Sequence, residues 1–407
     1  MRRHRFRFSL GRGSPVHAIG DQLAAVAGNF LLGVVVARNS SLEEFASFSL
    51  FYAFVVLLNF LHVPLINDPL VLRVASGRNT ALSKMLVATV QIFLPISIIG
   101  LSVLVVTDTL GMGDALFLML PAAVLSSLYW SARSALHSAG NHAGAFVASG
   151  LGTLCMLSAL AVLVRCEVEP VSAAVISMAT GALAGLGCAA CCNTGSSAGP
   201  VLAAKAAPRP AAGLLVAGFA WLAGNASMLF LASLGRPDDI AGLRSVLTLL
   251  LPINQVLVGL SAFLLPRFAR LHQSDNPIEM KRLMAGLSVG CIGLAVLFFL
   301  LVYPISGYLL ELIYGDDYRR FDSWMRLGAA ALPLCWGLIT LCRARLRGTG
   351  NLNGLLLVNS IGLLVGLPLS LACLMLLGDY AVMISFVVIQ VAMLSAYLLM
   401  GSAQRAR

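Results

Sequence analysis

The chain has 407 residues, of which 59% are hydrophobic and only 11% are charged, and its net charge is +10. A soluble domain carries about 25% charged residues, so this composition excludes a soluble globular protein. No soluble catalytic domain fits beside so much apolar sequence, and we do not expect an enzyme.

Twelve apolar runs, each long enough to cross a bilayer as a helix, follow one another along the chain. They cover residues 18–36, 45–66, 85–106, 114–131, 143–164, 171–192, 211–234, 240–265, 283–303, 324–341, 355–377 and 381–401. The first run contains Asp21 and Asn29 and is as long as a span, so we interpret it as an uncleaved first helix. The sequence therefore predicts an all-α integral membrane protein with about twelve transmembrane helices.

The charged residues alternate with the predicted spans. The N-terminal tail, the even-numbered connecting segments and the C-terminal tail hold 20 of the 27 lysines and arginines, whereas the odd-numbered segments hold 5. The acidic residues do the reverse, with 12 of 17 in the odd-numbered segments. This alternation is what the positive-inside rule predicts when both termini are cytoplasmic. The basic charge therefore sets the topology, and we expect no nucleic-acid partner.

An internal repeat divides the predicted spans into two halves. The segment RSALHSAGNHAG at 133–144 recurs as RARLRGTGNLNG at 343–354, with arginine, leucine, glycine and asparagine in matching positions. Further matching residues are Asn29 with Asn225 and Arg73 with Arg270. We predict two six-helix lobes, 1–200 and 201–407, related by a pseudo-twofold axis along the membrane normal. Transporters with parallel repeats of this kind place the substrate path between the halves.

Four segments carry a resemblance to a known family. They are ARNSSLEEFASFSLFYA (37–53), NDPLVLR (67–73), AGLRSVLTLLLPINQVLVGLSAFLLPRFARL (241–271) and LIYGDDYRRFDSWMRLGAAALP (312–333). With them, the chain resembles the Wzx-like, O-antigen-type oligosaccharide flippases. These belong to the multidrug/oligosaccharidyl-lipid/polysaccharide exporter superfamily, which also contains multidrug antiporters and lipid II flippases.

The resemblance implies a fold, a location and a cargo. The fold would be a MATE-like, V-shaped pair of lobes in the bacterial inner membrane. The cargo would be a polyprenyl-pyrophosphate-linked oligosaccharide, moved from the cytoplasmic to the outer leaflet for polysaccharide biosynthesis. Besides this cargo, the expected partners are membrane lipids and the polysaccharide polymerase or export machinery. No cofactor is implied, and a proton or sodium gradient is a candidate energy source.

Two other functions compete with flipping. A cation-coupled multidrug-type antiporter would share the fold, but we would expect a deep carboxylate and an aromatic-lined cleft. A multi-pass polysaccharide polymerase or ligase would need large extracytoplasmic loops, whereas the odd-numbered segments here have at most about 20 residues.

Two arginines lie inside apolar runs, where an ionisable group is costly and therefore a functional candidate. Arg244 lies about four residues inside span eight, and its planar fork suits pyrophosphate. The alternative is that its side chain snorkels to the interface. Arg326 has the same two interpretations but lies nearer to water.

The repeat-matched arginines also have two interpretations each. Arg73 and Arg270, at the cytoplasmic ends of spans two and eight, either form a substrate-binding mouth or anchor at lipid headgroups. Arg133 and Arg343 either belong to a cytoplasmic gate or support helix ends that turn through Gly140 and Gly350 in the left-handed conformation. Arg345 has no basic counterpart in the first half, which makes it a candidate for a substrate contact.

The remaining candidates are an acid and three amides. Asp21 is the one acid well inside the first half's apolar sequence. In the antiporter branch such a residue couples transport to ions, and the alternative is that Asp21 caps the first helix. Asn29, Asn225 and Gln255 either bind the glycan or hydrogen-bond neighbouring helices.

Overall fold

A computed structural model describes residues 15–67, 82–106, 116–192, 210–274, 276–377 and 380–403. These residues form helices joined by short turns, and the described part contains no strand. The first half has six long helices: α1 (Pro15–Asn39), α2 (Leu42–His62), α3 (Leu82–Val106), α4 (Leu116–Ser138), α5 (His142–Arg165) and α6 (Pro170–Cys192). A π-helical turn, Val63–Asn67, extends α2.

The second half has six long helices and one short helix in its described residues. They are α7 (Pro210–Ser233), α8 (Pro237–Gln273), α9 (Pro277–Val302), the short α10 (Ser306–Tyr314), α11 (Asp322–Gly348), α12 (Leu352–Leu376) and α13 (Ala381–Ala403). Two 3-10 turns, Tyr303–Ile305 and Asp316–Phe321, flank α10. These short elements interrupt the segment between the third and fourth long helices of this half.

Eleven helical segments in the described residues are long and apolar enough to cross a membrane. They confirm the predicted all-α membrane fold. The predicted span at 114–131 is not among these eleven segments, but its described residues belong to the continuous helix α4. Three residues of the site described below, Tyr129, Arg133 and His137, lie on this helix.

Contacts divide the chain into two compact units. Unit 1 comprises the described residues up to Ser40 and from Phe51 to Pro210, and unit 2 comprises Ser41–Leu50 and the described residues from Ala211 onward. The first turns of α2 therefore group with the second half of the chain, where Phe45 contacts the ring of Tyr318 edge-on at 6.2 Å.

Glycines let helices approach closely inside each unit. In unit 1, a Cβ on Gly152 would lie 2.9 Å from the carbonyl oxygen of Gly181, which puts the backbones of α5 and α6 in contact. In unit 2, a Cβ on Gly362 of α12 would lie 2.9 Å from the Cα of Met393 of α13. Small residues of this kind are the usual packing surface between membrane helices, where lipid provides no hydrophobic driving force.

The repeated segment forms the same turn in both units. Gly140 and Gly350 have φ of 74° and 70°, which confirms the predicted left-handed helix ends. The following asparagine then caps the next helix, because Asn141 Oδ1 accepts from Gly144 N at 3.0 Å. In unit 2 the corresponding bond, from Gly354 N to the side chain of Asn351, is 2.8 Å long. The glycine and asparagine of the motif are thus explained by backbone stereochemistry alone.

Candidate functional site

The strongest candidate site is a group of six polar residues in unit 1, which we call the Asp21 cluster. Asp21 of α1 lies at its centre and is 0% exposed. Arg133 of α4 donates hydrogen bonds to both oxygens of this carboxylate. Its Nε lies 2.9 Å from each oxygen, and its Nη2 lies 2.5 Å from Oδ2. Such a fork-on-carboxylate pair is among the strongest polar contacts in proteins. Its other members are Tyr129, His137, His142 and Ser149.

Two histidines extend the cluster towards the turn between α4 and α5. His137 Nε2 donates to Asp21 Oδ2 at 2.8 Å, and His137 Nδ1 lies 2.9 Å from Nδ1 of His142. A hydrogen bond between two ring nitrogens requires that one carries the hydrogen and the other accepts it. His137 lies one helical turn after Arg133, so both side chains reach the same carboxylate.

Hydroxyl groups complete the shell around Asp21. Ser149 of α5 donates a short hydrogen bond to Asp21 Oδ1. The Ser149 oxygen lies 2.6 Å from the hydroxyl of Tyr129, which can donate to it because the serine hydrogen is already used. Every oxygen of the buried carboxylate is therefore paired, as burial of a charge requires.

Close packing of α1 on α5 positions the acid. A Cβ on Gly20 would lie 3.0 Å from the ring of Phe146, and one on Gly28 would lie 2.8 Å from the side chain of Thr153. Thr153 Oγ1 also donates to the backbone oxygen of Ala24 at 3.1 Å. Glycines therefore flank Asp21 on both sides, and the two helices come close enough for Ser149 to reach it.

The structure corrects one interpretation of Asp21. The helix α1 begins at Pro15, so Asp21 lies in the helix interior and does not cap its start. The structure also joins two residues that the sequence treats separately, since Asp21 and Arg133 are 112 positions apart. Sequence analysis did not select Tyr129, His137, His142 or Ser149. The one available signal was the spacing of Arg133 and His137, which share a face of α4.

Two placements of hydrogens on the histidines satisfy the hydrogen bonds of the cluster. In one arrangement, neutral His137 donates from Nε2 to Asp21 and accepts from His142. In the other, His137 is cationic, donates from both nitrogens, and His142 accepts. The two arrangements differ by one proton and by which histidine carries the shared hydrogen. Arg133 stays charged in both, because a guanidinium does not deprotonate in proteins.

Arg343, the repeat partner of Arg133, has different neighbours. Its Nε lies 3.4 Å from the hydroxyl of Tyr397 on α13, and that hydroxyl donates to Asn359 Oδ1 at 3.2 Å. None of the ion pairs among the described residues includes Arg343.

The two arginines inside apolar runs lie in unit 2. Arg244 on α8 is half-buried within its helix. Arg326 on α11 pairs with Asp322 at 2.8 Å and stacks over the ring of Tyr303, with 5.0 Å to the centroid. The guanidinium of Arg326 therefore has an acidic partner, Asp322, and an aromatic partner, Tyr303, within unit 2.

The remaining candidates are dispersed. Asn29 and Arg270 are exposed, and Gln255 is half-buried. Asn225 donates to the backbone oxygen of Trp221 at 2.9 Å, a bond within its own helix. Arg73 lies outside the described residues. Arg345 lines a cavity in unit 2, together with Lys281. In the described part of the chain, no group of three or more His, Cys, Asp and Glu side chains is arranged to hold a metal ion.

Solved structures share this fold across nearly the whole chain. An outward-facing multidrug resistance MATE family transporter of the MOP superfamily has a TM-score of 0.70 at 14% identity, covering 96% of this chain and 94% of that chain. A point mutant of the Vibrio cholerae MATE transporter VcmN has a TM-score of 0.62 at 13% identity, covering 96% and 95%.

A third solved structure is a MOP superfamily transporter from Pyrococcus furiosus, whose binding pocket is described as having reverse polarity. Its TM-score is 0.68 at 14% identity, and the match covers 94% of this chain and 93% of that chain. No protein-family model matches the sequence, and a search of curated proteins finds no similar sequence. The chain therefore has the two-lobe, multi-pass fold of MATE transporters, as the resemblance implies.

Proposed function

We propose that this protein is an ion-coupled membrane transporter of the multidrug type, and that the Asp21 cluster is its proton-coupling site. The observation that carries the proposal is a fully buried carboxylate, held by an arginine and a histidine, inside a predicted membrane-spanning helix. Ionisable groups at such positions are expensive to maintain and commonly mark ion pathways. The shared MATE fold supports the same function.

The coupling step follows from the charges of the cluster. When His137 is neutral, Arg133 alone neutralises Asp21, and the two stay together. When His137 gains a proton, the imidazolium also neutralises Asp21, and Arg133 can release the carboxylate without leaving it unpaired. Protonation therefore moves the ion pair of Asp21 from Arg133 to His137, one turn further along α4, and this exchange of partners would couple a proton gradient to a change of helix packing in unit 1.

A second cargo class has its own supporting observation. Arg244 is half-buried within a candidate membrane span, where a permanent cation suits an anionic cargo better than a cationic drug. Together with the sequence resemblance, it supports flipping of a polyprenyl-pyrophosphate-linked oligosaccharide in the bacterial inner membrane, with both termini cytoplasmic. The reverse-polarity pocket described for the Pyrococcus furiosus transporter supports the view that one fold serves cargoes of either charge.

Inverted membrane vesicles with a respiration-driven pH gradient test the proposal. We expect ethidium, used as a cationic probe, to dissipate the gradient in vesicles that contain the protein. Asp21→Asn should abolish the response because the coupling carboxylate is lost. Thr180→Ala is the matched control, since Thr180 is exposed on α6 and only bonds its own helix at Ile176. All variants are compared at equal membrane abundance.

A parallel assay identifies the cargo class. Proteoliposomes carrying a fluorescent polyprenyl-pyrophosphate oligosaccharide report flipping as accessibility to dithionite. Activity in this assay, with no response to ethidium, would replace the multidrug-type proposal by the flippase. An unaltered ethidium response in Asp21→Asn would refute the coupling role, and inactivity in both assays would refute transport of either cargo.

A further inference from the structure

Unit 2 contains a cavity of about 630 Å³ bounded by three helices. Residues 277–288 of α9, 338–346 of α11 and 397–400 of α13 form its walls. It is distinct from the Asp21 cluster, which lies entirely in unit 1.

The charge of the cavity is entirely positive. Arg345 is half-buried and Lys281 is exposed, and no acidic side chain is among the lining residues. Neither cation appears in an ion pair with any other described residue. Two cations in one cavity without a carboxylate attract an anion, and both suit phosphate oxygens.

The polarity of the cavity changes along the helices. Arg345 lies in the last turn of α11 and Lys281 in the second turn of α9, so both cations lie at the same end. The far end, at Leu338 and Ser288, is seven residues away on each helix, which is about 10 Å. The wall between these ends is apolar and includes Met284. The cavity therefore fits a molecule with an anionic head and an apolar chain.

The surroundings of α9 indicate where such a molecule comes from. The span that includes α9 is only 17% buried, the lowest value among the candidate spans of the described residues. Large apolar side chains on this helix, including Val289 and Val296, are more than half exposed. In a membrane this face meets lipid, and the charge pattern predicts that the cationic end is cytoplasmic. Basic pockets between membrane helices on that side are typical sites for anionic lipid headgroups.

We propose that this cavity binds one anionic phospholipid of the surrounding membrane, with its phosphate on Arg345 and Lys281 and an acyl chain along α9 and α11. The bound lipid would fill the space between three helices that protein side chains leave open. This site is separate from the coupling function proposed above, and neither proposal depends on the other.

Native mass spectrometry of the full-length protein, released from mild detergent, measures the binding. We expect phosphatidylglycerol to bind the protein more tightly than phosphatidylcholine of the same chain length. Arg345→Gln combined with Lys281→Gln should weaken phosphatidylglycerol binding about 30-fold, which corresponds to about 1 kcal/mol for each charge. Dihexanoyl phosphatidylglycerol should bind weakly, because its short chains cannot cover the apolar wall, and inorganic phosphate should not compete.

A matched control removes the same charge from the same two helices. Arg282→Gln combined with Arg347→Gln alters exposed side chains outside the lining, and it should leave phosphatidylglycerol binding within about twofold. If the first double variant does not fold, Lys281→Gln alone should weaken binding about fivefold.

Three outcomes would overturn the proposal. The first is equal affinity for both headgroups, and the second is equal loss in the two double variants. The third is displacement of phosphatidylglycerol by a stoichiometric amount of polyprenyl pyrophosphate, which would assign the cavity to a cargo instead of a bilayer lipid.

Discussion

The same turn occurs once in each unit, but among the described residues its arginine has an acidic partner only in unit 1. The 196-residue offset between Asn29 and Asn225 carries Asp21 onto Ala217, a buried residue. In unit 1 the turn arginine donates to Asp21, whereas in unit 2 the partner of Arg343 in the described part of the chain is the hydroxyl of Tyr397. The backbone geometry of the turn is therefore repeated, whereas the ion pair behind it is not.

This difference separates the requirements of the turn from those of the site. The left-handed glycine and the capping asparagine occur in both units with nearly identical geometry. The turn thus forms with or without an ion pair behind it. The pairing of Arg133 with Asp21 is an addition specific to unit 1, and local backbone geometry does not explain it. This is the physical reason for assigning it a functional role.

The largest expected effect comes from removing the acid of unit 1. Asp21→Ala leaves Arg133, whose side chain is only 15% exposed, without its carboxylate. An unpaired buried charge typically costs about 3–5 kcal/mol, so we expect a loss of that size in the free energy of unfolding. Titration with SDS in mixed micelles measures it.

A second variant distinguishes an unpaired charge from a packing defect. Replacing both partners, as in Asp21→Ala combined with Arg133→Met, removes the uncompensated cation and should recover most of the lost stability. A loss below about 1 kcal/mol in the single variant would mean that the pair is solvated in the membrane-embedded protein, contrary to its burial.

The capping asparagines are expected to have intermediate effects, with the larger one in unit 1. Asn141→Ala and Asn351→Ala each remove a side-chain cap, which costs about 1 kcal/mol. Asn141 also donates to the backbone oxygen of Cys192 at 3.1 Å, so its replacement should cost about 0.5–1 kcal/mol more. Thermal unfolding of the purified variants measures the order. Asn351→Asp, which keeps the acceptor, should retain most of the stability, and a larger effect at Asn351 than at Asn141 would contradict the assignment.

Local chemistry explains what could be predicted from the sequence. The apolar runs predict the helices, and the glycine and asparagine of the repeat predict the turns, because each depends on neighbouring residues. The Asp21–Arg133 pair depends on how α1 packs against α5 near Gly20, and no spacing in the sequence encodes that contact. From the sequence, Arg133 is therefore assigned to a gate or a helix end, and Asp21 is assigned to ion coupling or to a helix cap. His142 was missed because it directly follows the capping Asn141 and has no periodic partner.

The smallest expected effect is the unit 2 counterpart of the ion pair. The bond from Arg343 to Tyr397 is 3.4 Å long, near the limit for a hydrogen bond, and its acceptor is neutral. Arg343→Gln should therefore change the free energy of unfolding by less than about 1 kcal/mol. A double-mutant cycle with Tyr397→Phe should give a coupling energy below about 0.5 kcal/mol, whereas the Asp21–Arg133 cycle should give several times more. A coupling energy near 2 kcal/mol at Arg343 would show that the hydrogen bonds of Arg343, Tyr397 and Asn359 stabilise unit 2 as the ion pair stabilises unit 1. The two turns would then be alike in function as well as in backbone geometry. The role proposed for the Asp21 cluster would then not be specific to unit 1.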